Sequence, residues 1–232
     1  MAFEQARTSE LFLIGGPNAW GSIPGVTEFG YTHESDVTRR GQGSFGANGP
    51  RGITEQYNGI SGNFSEEGPE GEDAVNAIVT MQDPASFVTG DMSNRYPFYI
   101  VANAFEEDGV TPIRSHFVEY AKLSGAPKAV AGSNAMQFAF QAKFARDFSK
   151  KKLMAKVFAG NETPVTSLSL GSDTAYEFDG THYALLVLRQ SASSKTVKVL
   201  KLTTDFTETD SAITLVSGLT ATEKALVVWV KE

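Results

Sequence analysis

The stretch from Met136 to Ala145, MQFAFQAKFA, decides the fold class of this chain. Its apolar residues stand at every second position, and glutamine, lysine or alanine separates them. A repeat of two residues is the period of a β-strand with one buried face. We therefore predict a long strand whose polar face meets water or a partner and whose buried face contains Met136, Phe138, Phe140, Ala142 and Phe144.

Short segments with strand character lie on both sides of this strand. They cover residues 29–38, 114–120, 153–158, 182–189, 196–203, 213–219 and 225–231. Clusters of Gly, Asp, Ser and Thr separate them, as is typical of turns. No strand alternates with a long helix, so a doubly wound fold is disfavoured. The pattern predicts a mainly β protein, an antiparallel β-sandwich or barrel.

The first third of the chain is rich in glycine, with fourteen of the 22 glycines before residue 72. This density predicts loops and short strands. One short helix is predicted over residues 72–81, where Val75, Ile78 and Val79 follow helical spacing and acids fill the first turn. The sequence Glu-Glu-Asp-Gly over residues 106–109 predicts the tip of a turn.

Length and composition limit the class of protein. A chain of 232 residues without cysteine excludes disulfide scaffolds, thiol nucleophiles and thiolate metal sites. No apolar run approaches the roughly 20 residues of a membrane helix, and the amino terminus lacks a signal-peptide pattern. We expect a soluble chain that stays inside the cell that makes it, with no membrane partner. One domain is predicted, with an extended arm (1–28), a core sandwich (29–160) and additional strands (161–232).

Charge is distributed unevenly along the chain. The net charge is −7, but residues 1–115 carry sixteen acids against six bases, and residues 116–232 carry fourteen bases against eleven acids. The whole is too acidic for a nucleic-acid footprint. The basic residues Lys143, Arg146, Lys150, Lys151 and Lys152 form either a solvated strand face and turn or a contact surface for the acidic half of a second copy.

The amino-terminal segment contains an apolar patch between turn-forming flanks. Its members are Leu11, Phe12, Leu13, Ile14 and Trp20. Such a patch needs to be covered, because large exposed apolar patches mark contact sites. Two alternatives remain open: the segment folds back on its own core, or it docks on a neighbouring subunit.

No motif predicts an enzyme. Gly41, Gly43 and Gly46 match the letters of the dinucleotide fingerprint, but Asn48-Gly49-Pro50 follows where that fingerprint needs a helix. Phosphate-binding loops and nucleophile elbows are absent from the sequence. His33, His116 and His182 are isolated from one another, and each is best interpreted as an ordinary strand histidine. We therefore predict no catalytic residue, no cofactor and no metal.

One carboxylate cluster stands out in the first half of the chain. It contains Glu66, Glu67, Glu70, Glu72 and Asp73. The cluster lacks the spacing of a calcium loop. It is interpreted as a solvated loop or, in an assembly, as acids on a surface that repels phosphates.

Four segments resemble the tail tube (major tail) proteins of tailed bacteriophages. These are FGYTHESDV (29–37), YNGISGNFS (57–65), the Phe-rich strand (136–144), and the ending formed by ITLVSGL (213–219) and ALVVWV (225–230). The resemblance implies a β-sandwich or barrel subunit. It also implies hexameric rings that stack into a hollow tube, with a central 24-strand barrel in the lumen wall.

The resemblance further implies a structural virion protein, made in the host cytoplasm and located in the phage tail. Its partners would be further copies of itself and other tail proteins, such as sheath, tape-measure, baseplate or terminator proteins. DNA would pass through an acidic lumen without specific binding, because like charges repel. Two alternatives remain: a capsid decoration or other virion β-protein, and a carbohydrate-binding β-domain.

Overall fold

A computed structural model describes residues 8–15, 20–23, 26–39, 53–67, 98–124, 128–129, 131, 135–172, 174–191 and 197–231. All regular elements within these ranges are β-strands. They are β1 (Thr8–Ile14), β2 (Trp20–Ile23), β3 (Val26–Arg39), β4 (Ile53–Glu67), β5 (Phe98–Phe105), β6 (Pro112–Leu123), β7 (Lys128–Ala129), β8 (Ala135–Ala142), β9 (Phe144–Ser149), β10 (Lys152–Ala159), β11 (Val165–Ser169), β12 (Ala184–Gln190), β13 (Val197–Val199), β14 (Phe206–Glu208), β15 (Ala212–Leu219) and β16 (Lys224–Lys231). The predicted mainly β class is confirmed, and the helix predicted over residues 72–81 lies outside the described residues.

The strands form four layers. A nine-stranded sheet folds over on itself into sheet A (β2-β1-β5-β6-β9) and sheet B (β3-β4-β8, with β7 and the end of β6 beside β8). Sheet C has the order β10-β16-β12-β13, and sheet D has the order β11-β15-β14. All pairings between these strands are antiparallel, as the sequence predicts.

Three apolar cores fill the spaces between the layers. Leu13, Phe64 and Phe138 belong to the core between sheets A and B. Ile14, Phe117 and Leu226 belong to the core between sheets A and C. Sheets C and D enclose Leu168, Phe206 and Trp229, and the tryptophan is only 1% exposed.

Sheets A and C are covered on both faces, and this explains the continuous apolar sequence of their central strands. In β5 seven of eight residues are buried, and in β16 the six residues from Ala225 to Val230 are all buried. In a strand with one solvated face, buried and exposed residues alternate instead. β8 follows that second pattern, as predicted, with Phe138 and Phe140 buried and Gln141 exposed.

Phe144 corrects the prediction of a single buried Phe face, because its side chain is 60% exposed. The strand bends at Lys143, where β8 of sheet B ends and β9 of sheet A begins. Ala142 and Ala145, three residues apart, both face the core between these sheets. The odd spacing turns Phe144 outward, because successive residues of a strand point to opposite faces.

Candidate assembly surface

Strands β3 and β4 form a two-stranded ribbon that extends past the rest of sheet B. They pair along their whole length, from Val26 with Glu66 to Arg39 with Ile53. β4 pairs with β8 only from Ile60 to Glu67. In the described part of the chain, residues 53–59 of β4 therefore pair with β3 alone. We call residues 34–39 and 53–59 the β3–β4 ribbon.

A β-bulge stands at the base of the ribbon. Glu34 pairs with Gly59 but Ser35 pairs with Tyr57, so Asn58 is the extra residue. Gly59 has a φ of 124°, a backbone conformation that residues with a side chain rarely adopt. A Cβ at this position would lie 2.7 Å from the Ala142 carbonyl oxygen. Bulges bend and twist a strand. The bulge therefore sets the direction in which the ribbon leaves sheet B.

Sheet B has two open sides. Among the described strands, β3 pairs only with β4 along its 14 residues. At the opposite side, β7 and the last residues of β6 share the strand position next to β8. An edge strand carries backbone N–H and C=O groups that can pair with another chain. Within the part of the chain that the structure describes, sheet B is thus a unit of four strand positions with an edge on each side.

A polar contact joins the edge of sheet B to sheet A. The hydroxyl of Tyr31 on β3 donates a hydrogen bond to Oδ1 of Asp147 on β9. The same oxygen lies 2.9 Å from Nδ1 of His116 on β6. Burial alone would raise the pKa of Asp147, but these two hydrogen bonds and the charges of His116 and Arg114 lower it below its usual value.

The predicted basic residues lie along β9 of sheet A and in the turn that leads from it to β10 of sheet C. Lys143 and Arg146 are exposed, Lys150 is exposed in the turn, and Lys151 and Lys152 are half-buried. Arg146 pairs with Glu119 at 3.4 Å, and Lys152 pairs with Glu10 at 2.9 Å. The side chain of Lys151 lies over the Tyr176 ring at 4.2 Å. The structure therefore shows a solvated strand face and turn, and the subunit contact through these residues stays a prediction.

The amino-terminal segment is part of sheet A. Leu11 and Leu13 point into the core between sheets A and B, and Ile14 points into the core between sheets A and C. Of the two alternatives for this segment, the structure shows the one in which these three residues fold back on the chain's own core. Phe12 and Trp20 are half-buried at the edge of the core between sheets A and C. A role of this segment in subunit contacts stays a prediction.

The carboxylate cluster is divided in the structure. Glu66 is fully buried at the end of β4, between β3 and β8, and Glu67 next to it is exposed. Glu70, Glu72 and Asp73 lie outside the described residues. Glu66 thus has a position inside the sheet, whereas Glu67 has the solvated position expected of the cluster.

The histidines of the described part form no metal centre. His116 contacts Asp147, and Nδ1 of His182 lies 2.6 Å from Oδ2 of Asp179 in an exposed turn. Among the residues that the structure describes, no group of three histidine or carboxylate side chains could hold a metal ion. No helix in the same ranges is long and apolar enough to cross a membrane.

Sequence reasoning missed three residues of this surface: Tyr31, Gly59 and Asp147. An isolated glycine within a strand pattern is a known sign of a bulge, so Gly59 could have been found. Tyr31 and Asp147 are 116 residues apart, and no local pattern connects them.

No protein-family model and no curated protein sequence matches the chain. Solved structures with limited similarity include a chain of the anti-feeding prophage baseplate, 13% identical over 61% of this chain and 92% of that chain, with a TM-score of 0.34. The Hcp1 protein of E. coli EAEC 042 is 8% identical over 61% of this chain and 97% of that chain, with a TM-score of 0.33. The Dit protein of phage SPP1, a hub adsorption apparatus protein, is 9% identical over 97% of this chain and 99% of that chain, with a TM-score of 0.29. The function therefore has to be inferred from this chain itself.

Proposed function

We propose that the chain is a structural subunit of a phage-type tail tube. In this proposal six copies join through their sheets B into a ring, and the rings stack into a hollow tube located in the virion. The observation that carries the proposal is the shape of sheet B, a unit of four strand positions with an edge on each side. Four positions in each of six copies agree with the lumen barrel that the sequence resemblance implies.

Ring formation follows from pairing the two edges of sheet B. The β3 edge of one subunit would pair with the β7 side of the next subunit, which makes a heterologous contact. Heterologous contacts close into rings when the rotation between copies allows it. Main-chain hydrogen bonds would then satisfy the edge groups of β3, as in other cases of strand addition.

The β3–β4 ribbon suits contacts between subunits. It continues for seven residues of β4 beyond the pairing with β8, or about 23 Å at the rise of an extended strand. A projection of this length would reach past the body of its own subunit. In a tube it would lie against a neighbouring copy in the same ring or in the next ring.

The charge of the chain fits the passage of DNA through the tube. Each subunit contributes a net charge of −7, so every ring accumulates negative charge. An acidic lumen repels phosphates and lets DNA slide through, whereas a basic wall would retain it. Sheath, tape-measure, baseplate or terminator proteins would be the partners at the outside and at the ends of the tube.

Electron microscopy of the purified full chain tests the proposal. Negative-stain images should show hollow tubes of uniform width, or six-fold rings that stack as the concentration rises. A preparation that contains only monomers or trimers at high concentration would contradict the proposal. Trimers that bind a preformed capsid lattice would indicate a decoration protein, and monomers that bind glycans would indicate a carbohydrate-binding domain.

A further inference from the structure

Two aromatic side chains and a lysine form an exposed group at one end of the β6–β9 strand pair in sheet A. Phe144 on β9 is 60% exposed and Tyr120 on β6 is 39% exposed. The Nζ of Lys143 lies 5.7 Å from the centre of the Tyr120 ring. We call Tyr120, Lys143 and Phe144 the aromatic corner. The aromatic corner lies at the start of β9, and among the described strands β9 pairs only with β6.

The backbone at Tyr120 forms a β-bulge of β6. Phe98 pairs with Ala121 and Ile100 pairs with Val118, so β6 has one extra residue here, and the φ of Tyr120 is +56°. The bulge lets Val118 and Ala121, three residues apart, both face the core between sheets A and B. It turns the Tyr120 side chain to the other face, where its ring lies 5.4 Å from the ring of Tyr99 and is 39% exposed. Tyr120 thus adds to the exposed apolar surface around Phe144.

The aromatic corner is flanked by positive charge. Lys143 is exposed and lies over an aromatic ring, and Arg146 follows two residues after Phe144 on β9. Arg146 pairs with Glu119, whereas the ammonium group of Lys143 faces the Tyr120 ring. A partner that fits this corner combines an apolar side chain with carboxylates.

The turn between β5 and β6 has this combination of groups. Residues 106–110, Glu-Glu-Asp-Gly-Val, are all exposed, and Val110 is 75% exposed. The turn is well ordered: the Gly109 N–H donates to the Glu106 carbonyl at 3.0 Å, and Oδ1 of Asp108 accepts from the N–H groups of Val110 and Thr111 at 2.8 Å. A preformed turn loses little conformational freedom when it docks. We call residues 106–110 the acidic turn.

The acidic turn and the aromatic corner lie at opposite ends of the same strand. β6 begins at Pro112, two residues after the acidic turn ends at Val110, and reaches Tyr120 eight residues later. This separation is about 26 Å along an extended strand. Two surfaces this far apart on one strand cannot meet within one subunit. They meet when copies are stacked head to tail along the direction of β6, and such contacts propagate without limit.

We infer that the acidic turn of one subunit docks on the aromatic corner of the next subunit along the tube axis, with Val110 against Phe144 and Tyr120 and with the carboxylates facing Lys143. The inference rests on the proposed function, because its partner is a second copy of this chain. It adds the contact that joins successive rings, whereas the edges of sheet B join the subunits within a ring.

A charge exchange tests this contact. Lys143→Glu and Glu107→Lys each place like charges across the docked surfaces, and each should raise the protein concentration needed for tube growth about tenfold. The double variant Glu107→Lys/Lys143→Glu restores opposite charges and should recover most of the assembly. Light scattering measures the critical concentration, and negative-stain images measure the length of the tubes.

Matched controls separate the contact from general effects of charge and polarity. Lys224→Glu makes the same charge change on sheet C, and it should leave the critical concentration within about twofold of the unmodified chain. Phe144→Ser should shorten the tubes, whereas Val216→Ser, at a valine 70% exposed on sheet D, should not. Circular dichroism and thermal melts of each variant verify that it is folded.

The outcomes distinguish this inference from the proposed function. Tubes that grow equally well from the Lys143→Glu and Phe144→Ser variants overturn the axial contact and leave the tube itself intact. Rings that no longer stack in these variants support the contact. If the unmodified chain forms neither rings nor tubes, the proposed function fails and the axial contact fails with it.

Discussion

The Tyr31 hydroxyl on β3 donates a hydrogen bond to Oδ1 of Asp147 on β9, and this bond ties the edge of sheet B to sheet A. His116 shares the same carboxylate oxygen at 2.9 Å, and its ring lies 5.4 Å from Phe29 and 5.3 Å from Tyr31. β3 also carries the edge that we propose for ring formation. The Tyr31–Asp147 contact therefore positions an assembly strand on the body of the subunit.

Replacement of Tyr31 tests the energetic weight of this contact. Tyr31→Phe should lower the free energy of unfolding by about 1 kcal/mol at pH 7, because it removes a hydrogen bond to a half-exposed carboxylate. The pKa of Asp147 is lowered in the folded protein, so this stabilisation is present above the ordinary carboxyl pKa and disappears as the pH falls through the lowered value. Urea unfolding at neutral and at strongly acidic pH measures both effects.

Tyr176→Phe is the matched control, since it removes the hydroxyl of an exposed tyrosine that is 29 residues from Asp147 in the chain. It should change the free energy of unfolding by a few tenths of a kcal/mol at most. An equal loss for Tyr31→Phe at both pH values would show that the contact does not depend on an ionised Asp147.

An ion pair between β12 of sheet C and the turn before β16 should make the stability of the chain dependent on pH. Nε and Nη2 of Arg189 donate to the Glu223 carboxylate at 3.1 and 2.6 Å, and both side chains are mostly buried. Hydrogen bonds from Arg189 come first among the causes that lower the pKa of Glu223 to about 2. The stabilisation is therefore complete above the ordinary pKa of glutamate and is lost as the pH falls towards 2.

We expect Glu223→Gln to cost about 2 kcal/mol of unfolding free energy at pH 7 and progressively less below pH 4. The guanidinium of Arg189 also donates to the carbonyl oxygens of Ser217 and Gly218, so it stays in place without Glu223. Glu162→Gln, at an exposed glutamate, is the control and should be neutral. A cost that is the same at pH 7 and pH 3 would contradict the role given to the ionised carboxylate.

Two glycines in sheet B should respond differently to alanine. A Cβ at Gly62 would lie 2.5 Å from Cζ of Phe140 and 2.6 Å from the Gly30 carbonyl oxygen. Gly62→Ala should therefore destabilise the fold by about 1–3 kcal/mol through overpacking. A Cβ at Gly30 meets nothing within 4 Å, so Gly30→Ala should be close to neutral. Equal melting temperatures for the two variants would contradict the packing described for β4 against β8.

The fold class could be predicted because it depends on local periodicity. The alternation in β8 and the apolar run of β16 follow directly from which faces of each strand are covered. Phe144 is exposed, contrary to the prediction, because the bend at Lys143 turns the residues after it to the opposite face. The bend does not interrupt the alternation of residue types, so the sequence pattern does not show it. Leu13 and Ile14 alternate between two cores because sheet A is covered on both faces.

The candidate assembly surface could be predicted only in part. The uneven charge and the basic residues around Lys150 are visible in the sequence. Contacts such as Tyr31 with Asp147 and Glu10 with Lys152 join residues more than 100 positions apart, and they depend on the order of strands in the sheets. Periodicity gives the faces of a strand but not its neighbours, so these contacts require the structure.

Cross-linking of engineered cysteines tests the central claim, the pairing of sheets B edge to edge. The chain has no cysteine, so Glu28→Cys on β3 and Lys128→Cys on β7 introduce the only two thiols. Within one subunit β4 and β8 separate these two strands by about 14 Å. A bis-maleimide with a shorter span therefore cannot join them within one chain, but it can join β3 of one copy to β7 of the next.

The account predicts that assembled protein treated in this way gives a ladder of covalent oligomers on a denaturing gel, ending at the hexamer. A control pair, Glu28→Cys with Lys224→Cys on sheet C, should stay monomeric under the same conditions. If assembled particles of the first pair also stay monomeric, or if both pairs cross-link equally, the edges of sheet B do not meet and the proposed ring is wrong.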